Sequence, residues 1–228
     1  ISFDVDSVLC KNGSNGQISA TVTGGTFPYT YLWDAAAANQ NTAIATALSI
    51  GNYTITATDF NGCTITDNAD VFEPLTILTA SIINSSNPLC NGACDGSIEV
   101  DALGATPNYT YQWNNGQTAS IATAICSGVH SVTVTDANFC TVTTSGVLTD
   151  PTAISVNPQV VSNFNGSPVS CPGAADGSVQ VTAAGGTGTL NFLWAPGGQN
   201  TQLISNLLAD NYCVTVTDGC ETTPLTIC

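Results

Sequence analysis

Polar and apolar residues alternate along this chain in short runs. In ISATVTG (18–24), YTYLW (29–33) and NYTITATD (52–59), Thr and Ser take turns with Ile, Val, Ala, Leu and Tyr. A period of two puts one set of side chains on each face of an extended segment. Each run therefore predicts a half-buried β-strand. Clusters such as NGSNG, TGGTFP and FNG punctuate the runs as turns. No stretch holds a 3.6-residue period. The best helical candidate is DAAAANQNTAIATAL (34–48), whose alanines favour helix. A related stretch, NNGQTASIATAI (114–125), has Gly and β-branched residues instead, so both are read as a loop followed by a strand.

These runs recur with a fixed period. CKNGSNGQISATVTGGTFPYTYLW (10–33) returns as CNGACDGSIEVDALGATPNYTYQW (90–113) and as CPGAADGSVQVTAAGGTGTLNFLW (171–194). The leading cysteines Cys10, Cys90 and Cys171 are 80 and 81 residues apart, as are Trp33, Trp113 and Trp194. Each copy closes on one theme: TDFNGC (58–63), TDANFC (135–140) and TDGC (217–220). The chain thus reads as three modules, 1–73, 74–150 and 151–228, with boundaries near the Glu-Pro and Asp-Pro pairs at 73–74 and 150–151. Six or seven short strands per module predict an all-β fold of tandem immunoglobulin-like antiparallel sandwiches. The repeated Trp, in a strand flanked by aromatics, is expected to fill the core between the sheets. The connections are not Gly/Ser-rich, which predicts a semi-rigid rod of roughly 40 Å per module. PLTIC (224–228) echoes PLTIL (74–78), so the chain is expected to be an excerpt that stops where a further module would open.

Composition narrows the functional classes. Sixteen acidic groups stand against one basic group, Lys11. Nucleic acid and anionic membrane surfaces are excluded as partners, because both are held by Lys and Arg. Hydrophobic residues make up 43% of the chain, so this is not a disordered acidic tail. No apolar run approaches the ~18–20 residues of a membrane span.

By this point the residues resemble a known family. CNGACDGSIEV, YTYQW and SVTVTDANFC are similar to the SprB repeat of large Bacteroidota surface proteins. The first module has TGGTFPYTYLW and IGNYTITATDFNGC but Asn15-Gly16-Gln17 where the family has Asp-Gly-Ser. The second keeps CNGACDGS but reads LGATPNYTYQW; the third has CPGAADGS and GGTGTLNFLW, and drops the Asn-Gly before its closing cysteine. The resemblance covers all three modules. It implies a secreted, often type IX-exported, repetitive adhesin or surface filament, and it carries over no catalytic residue.

Ten cysteines with a single histidine, at recurring long spacings, read as disulfides in an oxidising extracellular setting rather than as metal ligands. Spacing pairs Cys10 with Cys63, Cys90 with Cys140 and Cys171 with Cys220, leaving Cys94 with Cys126 and Cys213 with Cys228. Loops of about 50 residues closed this way stabilise a module by roughly 4 kcal/mol in the chain-entropy model. One difficulty stands against this pairing. In a strict seven-strand sandwich the turns holding Cys10 and Cys63 lie at opposite ends. Either the module has one fewer reversal, or a bridge crosses between modules, such as Cys10 with Cys140.

Other candidate chemistry is sparse. His130 falls where the other modules have Tyr53 and Tyr212, which marks a structural slot rather than a catalyst. Asp59, Asp136 and Asp218 follow a strand and precede a turn. They read as Asx-turn residues, with calcium ligation, aided by Asp95 and Asp176, as the sharper alternative. No other metal or cofactor is expected. Lys11, absent from the other modules, is not read as an isopeptide donor. Ser7, in Asp6-Ser7-Val8, fits a Bacteroidota O-glycosylation acceptor, while the sequons at Asn12, Asn52, Asn84, Asn108 and Asn165 follow from an Asn- and Thr-rich composition.

The functional expectation is a non-enzymatic, disulfide-stabilised stretch of a cell-surface adhesin or extracellular filament. Its partners are neighbouring repeats, or copies of itself head to tail. The alternative is a set of carbohydrate- or ligand-binding accessory modules contacting surface polysaccharide. That reading calls for exposed aromatics: the three tryptophans, or Phe27, Phe60, Phe139 and Phe164. An enzyme is the poorest reading, since no nucleophile–base constellation recurs.

Overall fold

Strands account for nearly all regular structure in the computed structural model, which describes residues 1–220 and 224–228. Among these residues each copy of the repeat supplies six strands in two three-stranded sheets. The first copy gives β1 (Ser2–Asp6), β2 (Gly16–Thr21), β3 (Thr30–Trp33), β4 (Ile44–Leu48), β5 (Gly51–Thr58) and β6 (Thr64–Val71), in the orders β1-β2-β4 and β3-β5-β6. The second gives β7 (Thr79–Ser86), β8 (Gly96–Leu103), β9 (Thr110–Trp113), β10 (Ile121–Ile125), β11 (Gly128–Thr135) and β12 (Thr141–Leu148). Their orders are β10-β8-β7 and β12-β11-β9. The third gives β13 (Ser155–Val160), β14 (Gly177–Ala184), β15 (Asn191–Ala195), β16 (Leu203–Leu207), β17 (Cys213–Thr217) and β18 (Leu225–Ile227), ordered β13-β14-β16 and β15-β17-β18.

The alternation explains the faces. Along β2 the residues Gly16, Ile18 and Ala20 are buried while their neighbours are not, and β5 does the same with Tyr53, Ile55 and Ala57. In the first repeat Ile18, Trp33, Ala45, Leu48, Ile55 and Val71, drawn from both sheets, form one core, which makes the pair of sheets a sandwich. Val181, Trp194, Ile204, Leu207, Val214 and Val216 do so in the third. Segment 34–48 is a loop followed by β4, but its start coils into a single 3-10 turn, Ala35–Ala37. Asp34 drives this: its Oδ1 accepts from Ala37 N at 3.1 Å and its Oδ2 from Thr54 N at 2.9 Å.

Two compact units divide the described residues. One comprises 1–83, 99–120 and 131–145; the other comprises 84–98, 121–130 and 146–228.

Candidate functional site

The distinctive chemistry of this chain is its sulfur, and the turns that carry the leading cysteines are built alike in each copy. After β1, the chain turns through Cys10 with Gly13 N donating to Cys10 O at 2.9 Å; Ala93 N to Cys90 O and Ala174 N to Cys171 O repeat the bond at 3.0 Å. The N–H of the residue before each leading cysteine is bound by the side chain five positions after that cysteine. Asn15 accepts from Leu9 N, Asp95 from Leu89 N and Asp176 from Ser170 N, each at 3.1 Å. An Asn oxygen does this as well as a carboxylate, which explains why Asn15 stands where the other copies have Asp. The Ser170 hydroxyl and then its N–H hold the Asp176 carboxyl below the ordinary aspartate range.

The closing cysteines sit in a second recurring turn, two residues shorter in the third copy. Asp59 Oδ1 accepts from Asn61 N at 2.9 Å and Cys63 N at 2.8 Å, while its Oδ2 accepts from Thr26 N at 3.0 Å. Asp136 repeats this with Asn138, Cys140 and Thr106, and Asp218 with Cys220 and Thr187. Backbone N–H groups, that of Cys63 foremost, hold the Asp59 carboxyl below its ordinary value. These oxygens are committed to ordering the turn, and among the described residues no three His, Cys, Asp or Glu side chains gather into a metal site.

The pairing of the two kinds of turn departs from the spacing rule. Cys10 is joined to Cys140, and Cys90 to Cys220, each across 130 residues with Cα atoms 5.6 and 5.8 Å apart. The expected bridges Cys10–Cys63, Cys90–Cys140 and Cys171–Cys220 are not formed. In the first repeat β2 begins after the Cys10 turn and ends in loop 22–29, where Thr26 binds Asp59 and Phe60 of the turn after β5, so the turn after β1 and the turn after β5 fall at opposite ends of the sandwich. A strand of five or six residues separates those ends by about 17–20 Å, against a limit near 7 Å for bridging Cα atoms. The leading cysteine therefore meets the closing cysteine of the following repeat. Cys94–Cys126 and Cys213–Cys228 are also joined, each within one repeat. Cys63 and Cys171 remain free thiols, both exposed.

Each crossed bridge lies in a junction with further contacts. At the first, Leu9 O accepts from Asn138 Nδ2 at 3.3 Å, and Thr76 Oγ1 accepts from Ala105 N at 3.0 Å. Glu73 reaches back to the cysteine turn, accepting from Lys11 Nζ at 2.9 Å and Asn12 N at 2.7 Å. Lys11 thus serves as an ion-pair partner, and first its hydrogen bond, then the Asn12 N–H, lowers the Glu73 carboxyl. At the second, Leu89 O accepts from Thr187 Oγ1 at 2.7 Å, Pro151 O from Asn91 Nδ2 at 2.8 Å, and Asp150 from Gly92 N at 3.3 Å. Glu73 and Asp150 were not singled out in the sequence beyond marking boundaries. Their signal was an acid before each boundary proline, 58 to 62 residues from the turn it binds.

Gly104 shows how close the linker runs. Its φ is +84°, and an added Cβ would lie 2.1 Å from Ile77 O; the equivalent Gly24 has φ +87° but nothing within 4 Å. Gly104→Ala is expected to cost roughly 3 kcal/mol and Gly24→Ala about 1 kcal/mol, since only the former adds a backbone collision to left-handed strain. Urea midpoints of the two variants measure the difference; equal shifts would mean the linker yields freely.

The remaining candidates take structural places. The three tryptophans are each 1% exposed. Their indole N–H groups donate to Thr42 O, Ala119 O and Thr201 O at 2.8–2.9 Å. His130 Nε2 lies 2.9 Å from Cys126 O, four residues back, where Tyr53 and Tyr212 hydroxyls donate to Ser49 O and Leu208 O. Ser7 is exposed in the turn after β1, and Phe27, Phe60 and Phe139 are exposed in the loops beside the closing cysteines.

Residues 2–38, 82–118 and 163–199 each match the model of the SprB repeat. No curated protein sequence matches the chain. Among solved structures, the three N-terminal domains of the bacteriophage RB49 highly immunogenic outer capsid protein are similar at 16% identity and a TM-score of 0.42, with 99% of this chain and 94% of that one covered. The N-terminal eight Ig domains of Down syndrome cell adhesion molecule align at 12% identity and a TM-score of 0.38, over 97% and 34%. Domains 1–6 of the surface layer protein SbsC align at 13% and 0.29, over 99% and 39%.

Proposed function

The chain belongs to the SprB-repeat family, three copies in tandem, and from that premise we propose that it is a mechanical stretch of a disulfide-stabilised adhesin or filament at the outside of a bacterial cell. The family's setting on cell surfaces and the disulfides support an extracellular place. The observation that carries the reading is the crossed wiring: Cys10 and Cys90 each clamp the repeat that follows their own. Modules 1–73, 74–150 and 151–228 act as links, and the bonds of Asn138 to Leu9 O, Asn91 to Pro151 O and Thr187 to Leu89 O hold each link against the next. Among the described residues the recurring polar side chains Asn15, Asp95, Asp176, Asp59, Asp136 and Asp218 bind turn backbone, which supports a structural role. Burial of all three tryptophans weighs against a carbohydrate platform built on them.

Immunogold electron microscopy on intact producing cells, using antibody raised against this chain, tests the reading. Label is expected on surface fibres without permeabilisation. Label that appears only after the envelope is opened would end it.

A further inference from the structure

Two thiols remain free in turns that elsewhere in this chain are bridged. Cys171 stands in the same turn as Cys10 and Cys90, with the same Ala174 N to Cys171 O bond and the same Asp176 acceptor for Ser170 N. Cys63 stands in the same turn as Cys140, with Cys63 N to Asp59 Oδ1 and Cys140 N to Asp136 Oδ1 both 2.8 Å. One is a leading cysteine and the other a closing cysteine. Those are the two halves of the bridge formed twice within the chain.

The surroundings of Cys63 also match a covered junction with its cover absent. Asn61 Nδ2 donates to Thr26 Oγ1 at 2.9 Å, as Asn138 Nδ2 does to Thr106 Oγ1, and Asn138 also reaches Leu9 O of the preceding repeat. Asp136 and Cys140 are buried at 4% and 8% exposure, whereas Asp59 is only half-buried and Cys63 is exposed. A groove of about 190 Å³ opens there, lined by Gly25, Tyr29, Asp59, Cys63 and Ile65 among others. The equivalent place in the third repeat, beside Gly186 and Asp218, is lined in part by Asn91, the residue after a leading cysteine.

We propose that copies of this chain join covalently head to tail, Cys171 of one copy forming a disulfide with Cys63 of the next. The joint repeats the Cys10–Cys140 and Cys90–Cys220 junctions, with Ser170 O offered to Asn61 as Leu9 O is to Asn138. The chemistry is thiol–disulfide exchange with a small-molecule disulfide such as oxidised glutathione. The Cys63 thiolate attacks it and expels one glutathione thiolate. The Cys171 thiolate of a second copy then attacks the mixed disulfide at the Cys63 sulfur and expels the other. Two protein thiols and one glutathione disulfide thus become one protein disulfide and two reduced glutathiones. The proposal rests on the structural reading above, but its test does not involve cellular location.

The test oxidises the purified chain with a glutathione redox pair and runs it on non-reducing gels. The expected result is a ladder at multiples of the 23.2 kDa chain that collapses under reductant. Cys63→Ser and Cys171→Ser alone should each stay monomeric, and their mixture should stop at one dimer. Both substitutions fall at exposed positions, and mapping the Cys63–Cys171 peptide in the unmutated ladder removes any dependence on how the variants fold. Chymotrypsin serves for the map, since Lys11 is the sole tryptic site. A monomer with both thiols open to iodoacetamide, single variants that dimerise as readily as the mixture, or native material with Cys63 joined to another sequence would each overturn the joint.

Discussion

Pulled from its two ends, the oxidised chain is expected to reach no more than about 140 Å, even with every repeat unfolded, at ~3.5 Å per residue. All four disulfides lie on one covalent path. It runs nine residue steps from Ile1 to Cys10, crosses to Cys140, goes back fourteen to Cys126, and crosses to Cys94. It then goes back four to Cys90, crosses to Cys220, goes back seven to Cys213, and crosses to Cys228. That makes thirty-four steps in place of 227. Reduced, the chain should extend to about 800 Å on the same per-residue length. Bridges confined within repeats, as spacing alone suggested, would allow about 280 Å. Single-molecule force extension with and without reductant separates the three lengths. An oxidised ceiling near 280 Å would refute the crossed wiring, and one near 800 Å would mean the bridges do not form. The crossed loops, closing 130 residues each, also stabilise the fold by about 5 kcal/mol apiece in the chain-entropy model.

Trp33→Ala should carry the largest cost of any single core change in the first repeat, about 3–5 kcal/mol. Trp33 sits at the end of β3 among buried Ile, Leu, Val, Ala and one Tyr, the largest of the fully buried side chains there, so its removal leaves the largest gap. Thr42 O, which receives its indole N–H, would also lose its partner. Against the 5–15 kcal/mol of an ordinary domain this is a large share. The loss should be local, because Trp113 and Trp194 support their own repeats. Hydrogen exchange is expected to show faster exchange in β2, β3 and β5 with β14 and β17 unchanged. Uniform loss along the chain would mean that the repeats unfold as one unit; no loss at all would mean the core re-packs around the gap.

The strands were legible because alternation is a local property: Ile18 and Ala20, or Ile55 and Ala57, need only their neighbours to declare a face. The antiparallel sandwich follows from the same pattern and the punctuating glycines, which left six or seven strands per module where the structure has six. The 3-10 turn at Ala35–Ala37 was missed because it depends on Asp34 binding Thr54, twenty residues away. The sulfur chemistry was legible in the count and recurrence of cysteines, but not its partners. Sequence spacing favours the short loop, whereas the bridge is decided by which end of the sandwich a turn occupies. That end depends on how many times the chain reverses between Cys10 and Cys63. The roles of Glu73 and Asp150 were hidden for the same reason, since each acts on a turn about 60 residues earlier.

Crossed wiring also makes each bridge a joint report on two neighbours. Cys10 can close only once the second repeat has brought Cys140 into place, and Cys220 only if the same repeat presents Cys90. A folding fault confined to the second repeat would therefore surface as reactive sulfur in the first and third, which are themselves sound. Any cellular inspection that senses thiols could detect a hidden fault from its intact neighbours, and would do so without touching the damaged segment.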